Sequence, residues 1–200
     1  MPYPLAHSLA GLTVASATRG EISLKRDGKL LLLVPTLSLA PDFDFLLVFL
    51  TGDPSYHRHF THSILFAAIT GLLLARFLRE REKIRSGLVF AAVMLSHGIL
   101  DCITTPVGSG GPMLLWPFSW QRFAALPREI APLLFYPSFQ WMLVSVENFI
   151  IASISICIRE MILFGPLLLG VILIKMGLKA ALKSARDTCA VQNKSLAIKS

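Results

Sequence analysis

The stretch "HRHFTHSILFAAITGLLLARFL", residues 57–78, decides how this chain is to be read. Its first seven residues hold three of the chain's five histidines, His57, His59 and His62, and an apolar run starts directly after them. From His62 to Leu78 that run is slightly short of the about 20 apolar residues an α-helix needs to cross a ~30 Å hydrocarbon core. Arg76 near its end can snorkel to the headgroups. The other two histidines, His7 and His97, also sit in or beside apolar segments, as do Asp42, Asp44 and Asp101.

Outward from this stretch, three more segments are long and apolar enough to cross a bilayer: Leu30 to Leu50, Gly87 to Thr105 and Met161 to Leu178. Pro4 to Thr18 is too short to span comfortably and reads as a half-inserted helix. With 54% hydrophobic residues, 16% charged residues and a mean hydropathy of +0.65, the chain is too apolar for an ordinary soluble domain. The net charge of +7 would suggest nucleic acid in a soluble protein. Here fifteen of the nineteen Lys and Arg fall at residues 19–29, 76–85 and 175–199, beside the apolar segments, as cytoplasmic loops and tails do. No direct nucleic-acid partner is expected; membrane lipids are.

These features predict an all-α polytopic membrane protein with about four transmembrane helices, a short N-terminal helix and a peripheral or re-entrant region at 132–158. Residues 1–180 form a single membrane domain, and 181–200 a basic, disordered cytoplasmic tail. With the basic clusters inside, His7, the "HRHFTHS" loop and Asp101 fall on the outer side, and Asp42, Asp44 and His97 near mid-depth. This orientation requires that 132–158 do not cross. Residues 106–131 are rich in Gly, Pro and Trp and read as a loop with interfacial aromatic anchors. Cys102, Cys157 and Cys189 have no paired spacing and two lie in apolar stretches, so they suggest neither a disulfide framework nor a thiolate zinc site and read as buried spectators. The N-terminus has no basic region before its apolar stretch and does not read as a cleaved signal.

An ionised carboxylate in hydrocarbon costs at least about 2.5 kcal/mol, so Asp42, Asp44 and Asp101 need partners. Imidazoles and carboxylates together suit a divalent transition ion, zinc above all. His97 and Asp101 in "SHGILD" are four apart and share one helical face. In "PDFD", residues 41–44, Pro41 fits a first helical turn, so the segment from Leu30 to Leu50 breaks there. One of its carboxylates would then bind metal while the other caps a helix or orients a histidine. Thr61 is a fair N-cap for the helix that follows, which puts His57 in the loop and His62 in the first turn. Arg58 has the planar fork that holds a phosphate well.

Blander readings stand beside these. A lone His7 is equally well explained by a hydrogen bond to a neighbouring helix. His59 reads better as an interfacial loop residue than as a ligand. "GSGGP" at 108–112 lacks the Lys-Ser/Thr of a phosphate loop. Glu147 fits a ligand, a base or a solvated helix face.

Five short motifs occur in order: "AHSLAG", "PDFDFL", "HRHFTHS", "SHGILDCITTPVG" and "WPFSWQRF". Over roughly residues 5–120 they resemble the YdjM-type inner-membrane metal-dependent hydrolases, a family described as LexA-regulated or LexA-binding membrane-bound hydrolases. The resemblance implies a multi-pass protein of the bacterial inner membrane with a His/Asp metal site. It points to His7, Asp42, His57, His62, His97 and Asp101, and any LexA link comes from it alone. The family usually has a small residue where this chain has His59.

The resulting expectation is a hydrolase that uses a His/Asp-bound divalent ion, zinc by preference, to activate water against an ester or phosphodiester, lipid-linked where the site faces the bilayer. His7, Asp42, His57, His97 and Asp101 would hold the metal, Asp44 or His62 would take the proton, and Arg58 would steady the anion. Rival readings are a metal or proton transporter and a membrane tether whose polar residues are structural.

Overall fold

Apolar runs that cannot leave backbone polar groups bare in lipid must become helices, and they do. The computed structural model describes residues 4–18, 28–129 and 145–197. In chain order the helices are α1 (Pro4–Thr18), α2 (Gly28–Leu39), α3 (Phe45–Thr51), α4 (Ile64–Phe77), α5 (Lys83–Thr104) and α6 (Val146–Ala197). Short 3-10 turns lie at Ala40–Asp44, Pro54–Tyr56 and Phe60–His62. Among the described residues the only bridge between extended segments joins Pro106 to Leu126.

Among the described residues, three stretches are long and apolar enough to cross a membrane: Gly28–Thr51, Lys83–Thr104 and Ile150–Arg186. A fourth forms if Pro54–His62 and Ile64–Phe77, bent by 58° between them, act as one broken span. The break expected at "PDFD" is present: Pro41 opens the 3-10 turn Ala40–Asp44, which interrupts the first span between α2 and α3.

Two expectations need correction. The N-cap of α4 is Ser63, whose hydroxyl accepts from the Phe66 amide, and Thr61 turns inward to other work. The last span does not begin at Met161. Its helix starts at Val146 and continues through Ala197, so the described part of the 181–200 tail is helical and the 146–158 part of the doubtful region belongs to the same helix. Residues 132–144 lie outside the described residues.

The helices pack through small residues, because lipid-facing helices gain little from hydrophobicity alone. At Gly71 a Cβ would stand 2.5 Å from the Gly87 carbonyl oxygen and 2.6 Å from the Ala91 nitrogen, so α4 and α5 touch backbone to backbone. Around this crossing Ala15, Val34, Leu37, Ala67, Ala75, Phe90, Val93 and Met94 form one buried core drawn from α1, α2, α4 and α5. The outward faces stay apolar: Phe49 is 84% exposed, and α6 shows Ile150, Ile162, Leu167 and Ile174 in the same way.

The described part of the Gly/Pro/Trp-rich segment after α5, residues 106–129, is a folded cap with no helix of its own. Its backbone pairs with the His loop, Met113 N–H donating to Arg58 O (3.0 Å) and Ile64 N–H to Leu114 O (3.0 Å). Arg122 spreads its guanidinium over the carbonyls of Ser55, His57 and Gly111 and so ties the two loops together.

Candidate metal centre

Four separate elements bring polar side chains to one buried place: α1 carries His7, the 3-10 turn Ala40–Asp44 carries Asp42 and Asp44, the loop before α4 carries His57, Arg58 and His62, and α5 carries His97 and Asp101. Of these, His7, Asp44, Arg58, His62, His97 and Asp101 are buried, while the Asp42 side chain is 35% exposed. His97 and Asp101 do share one face of α5 and point into the same group. Gly98 between them lets the His62 backbone approach, since a Cβ there would come within 3.0 Å of the His62 carbonyl oxygen.

Hydrogen-bond chemistry fixes which imidazole nitrogens are bare. His97 Nδ1 lies 2.8 Å from the Ser38 carbonyl oxygen, an acceptor only, so Nδ1 carries the hydrogen and the neutral ring leaves a lone pair on Nε2. His57 Nδ1 lies 2.9 Å from Asp44 Oδ1 and is a donor for the same reason. Thr61 Oγ1 donates to Asp44 Oδ2 (2.9 Å) and, with its hydrogen used, accepts from His62 Nδ1 at 3.1 Å. Three rings are therefore held by the hydrogen bond on one nitrogen so that Nε2 is free, which is how metal-binding histidines are oriented.

What those nitrogens face is the decisive point. His97 Nε2 lies 3.2 Å from Asp42 Oδ1, and His62 Nε2 lies 3.7 Å from both Asp42 Oδ1 and Asp101 Oδ2. Among the described residues, the buried Nε2 atoms of His57, His62 and His97 and Nδ1 of His7 have no hydrogen-bond partner. Acceptor facing acceptor at a largely buried site is repulsive unless positive charge sits between them. Protonating the rings would supply it only by crowding like charges, because His7 stacks on His97 with centroids 3.7 Å apart and His62 meets His97 at 4.9 Å. A divalent cation between facing donors would relieve such contacts without adding charge to the rings. The donor atoms form three sets within 4.8 Å of one another: His7, Asp42 and His97; His62, His97 and Asp101; and Asp42, Asp44 and His57. The residues present fit a divalent ion.

The two carboxylates of "PDFD" have opposite surroundings. Asp44 is buried and accepts from the Arg58 amide (2.8 Å), the Thr61 hydroxyl and His57 Nδ1. Arg58 itself adopts a left-handed φ of +61°, a conformation costing about 1 to 3 kcal/mol for a non-glycine residue and held here by its surroundings. Its Nε lies 2.7 Å from Asp101 Oδ2 and its Nη1 donates to Thr105 Oγ1 (2.8 Å), while Nη2 has no hydrogen-bond partner among the described residues.

His59 stands apart, among Tyr56, Phe60, Trp116 and Trp120. Glu147 is exposed in the first turn of α6 and outside the group. Asp53, in the loop between α3 and α4, caps the next turn, and the Ser55 amide holds its carboxyl below the usual carboxylate range. Ser38, Thr105 and Arg122 took part without being foreseen. Ser38 acts through a backbone carbonyl, which no residue type announces; Arg122 lies in the "WPFSWQRF" motif and could have been suspected as the one cation in it.

Residues 1–179 match the YdjM inner membrane protein family. The chain belongs to that family. The match runs well past the motif-bearing part and takes in much of α6. Inner membrane protein YbcI of Escherichia coli (strain K12), a YdjM-family relative, is 33% identical over 131 residues, which cover 62% of this chain and 73% of that protein. No solved structure matches. Like its family, this YdjM-type chain is an inner-membrane protein, and its apolar helices suit that place.

Proposed function

We propose that this chain is a membrane-bound metal-dependent hydrolase acting on an ester or phosphodiester. The observation that carries the reading is the bare Nε2 of His97 facing the Asp42 carboxylate at 3.2 Å, with His7 and Asp101 buried beside it. His7, His57, His97, Asp42 and Asp101 would hold the ion, with zinc the best match to this donor set. When bound, such an ion polarises the scissile group and makes water acidic enough to attack near neutral pH.

The protein's own residues divide the remaining work. Asp44, with both oxygens taken by donors, orients His57 and Thr61 and is the poorer proton acceptor. His62 keeps a bare Nε2 and takes the proton from water. Arg58 holds Asp101 in place and offers Nη2 to an anionic group of the substrate.

Access favours an amphiphilic substrate. Asp42 is the partly exposed member of the group, and its neighbours Phe43 (71% exposed) and Phe45 present apolar surface. A lipid-linked ester or phosphodiester arriving from the bilayer would meet the polar centre through this apolar rim. The test is turnover by detergent-purified protein on phospholipid vesicles beside water-soluble phosphodiesters, with and without chelator. Chelator-sensitive hydrolysis confined to the vesicles is the expected result. Turnover confined to soluble substrates would remove the lipid assignment, and none on either class, with metal bound, would remove the hydrolase.

A further inference from the structure

Among the charged residues of α6, Glu160 and Lys175 reach α1 and lie outside the metal-capable groups. Glu160 is fully buried, and its Oε2 accepts from the Ala6 amide at 2.9 Å. Ala6 is in the first turn of α1, where backbone N–H groups have no partner within the helix. At the other end, the Lys175 ammonium donates to the Ser16 carbonyl in the last turn of α1. The order of the two contacts makes α1 and α6 parallel.

The signs are complementary to the helix dipole, with the anion at the positive end of α1 and the cation at its negative end. Helix α1 has no acidic residue in its first turn and no basic residue in its last, so α6 supplies both charges that α1 lacks. An apolar residue would pack at position 160 without the desolvation cost of a buried carboxylate. Next to Ala6 is His7, whose ring lies on His97 and whose Nε2 is 3.6 Å from Asp101 Oδ1.

We propose that Glu160 and Lys175 are positioning residues that hold α1 by its two ends and thereby keep His7 in the cluster. Through them α6, which contributes no side chain to the metal-capable groups among the described residues, completes the site. The proposal rests on the metal reading only where metal affinity is the readout.

The test uses the full chain in detergent, with hydrogen–deuterium exchange of residues 4–18 and Co²⁺ titration. In Glu160→Leu, exchange across the first turns of α1 should rise roughly tenfold while α5 stays unchanged. Glu160→Gln keeps an oxygen that accepts from Ala6 and should remain within roughly threefold of wild type. Lys175→Met should speed exchange of the last turn of α1 roughly threefold, and it decides the question if Glu160→Leu does not fold. Co²⁺ affinity should fall about 10- to 100-fold in both Glu160→Leu and His7→Ala, and the double variant should bind no more weakly than His7→Ala. Additive losses, or unchanged α1 exchange in Glu160→Leu and Lys175→Met, would overturn the proposal. A wild type that takes up no Co²⁺ removes the metal reading instead, and the exchange data then decide the clamp alone.

Discussion

The α4–α5 crossing at Gly71 and the His/Asp cluster at the far end of α5 are packed on opposite principles. At the crossing, glycine brings backbone against backbone and the surrounding side chains are apolar. In the cluster, bare imidazole nitrogens, themselves buried, are left with lone pairs aimed at carboxylate oxygens. One region is stable by itself, whereas the other holds an unfavourable arrangement that a bound cation would turn favourable. A site of this kind is best detected by what its atoms fail to pair with.

Changes in the two regions should therefore have different signs as well as sizes. The largest effect is expected at Gly71→Val, where a side chain must enter a 2.5 Å gap against backbone; a loss of about 3 kcal/mol, read from thermal or denaturant unfolding in detergent, would be independent of metal. Chelation should come next. Adding metal at about a hundred times its Kd should stabilise wild type by roughly 2.7 kcal/mol and leave His97→Ala unaffected, measured as a shift in the unfolding midpoint. Asp44→Ala should cost about 1 to 3 kcal/mol even without metal, because the Arg58 amide, the Thr61 hydroxyl and His57 Nδ1 lose their acceptor. Asp42→Asn sharpens the contrast: its amide can donate to His97 Nε2, so the metal-free protein should gain about 1 kcal/mol while metal affinity falls. Phe49→Leu, on the exposed face of α3, should change stability by less than about 0.5 kcal/mol.

Much of this was legible in the residues. Apolar length marked the spans, Pro41 marked the break between α2 and α3, and the four-residue spacing of His97 and Asp101 put both on one face. Local capping was read less well, because Thr61 and Ser63 are chemically alike and only the tertiary demand of Asp44 for a donor separates them. The start of α6 is hidden because residues 132–158 read as a peripheral or re-entrant region, and a span drawn from Met161 begins one residue after Glu160. A carboxylate at the edge of an apolar span is a usable signal. The role of Ser38 was out of reach, since any residue offers the same carbonyl and only the packing of α2 against α5 selects it.

Metal content tests the central claim most directly. Elemental analysis of detergent-purified wild type, His97→Ala and Asp101→Ala, each checked for helix content, should find a stoichiometric transition ion in the first and little in the other two. A wild type that stays metal-free after reconstitution with zinc, cobalt or manganese would contradict the account, and the facing lone pairs of His62 and His97 would then have to be bridged by protons.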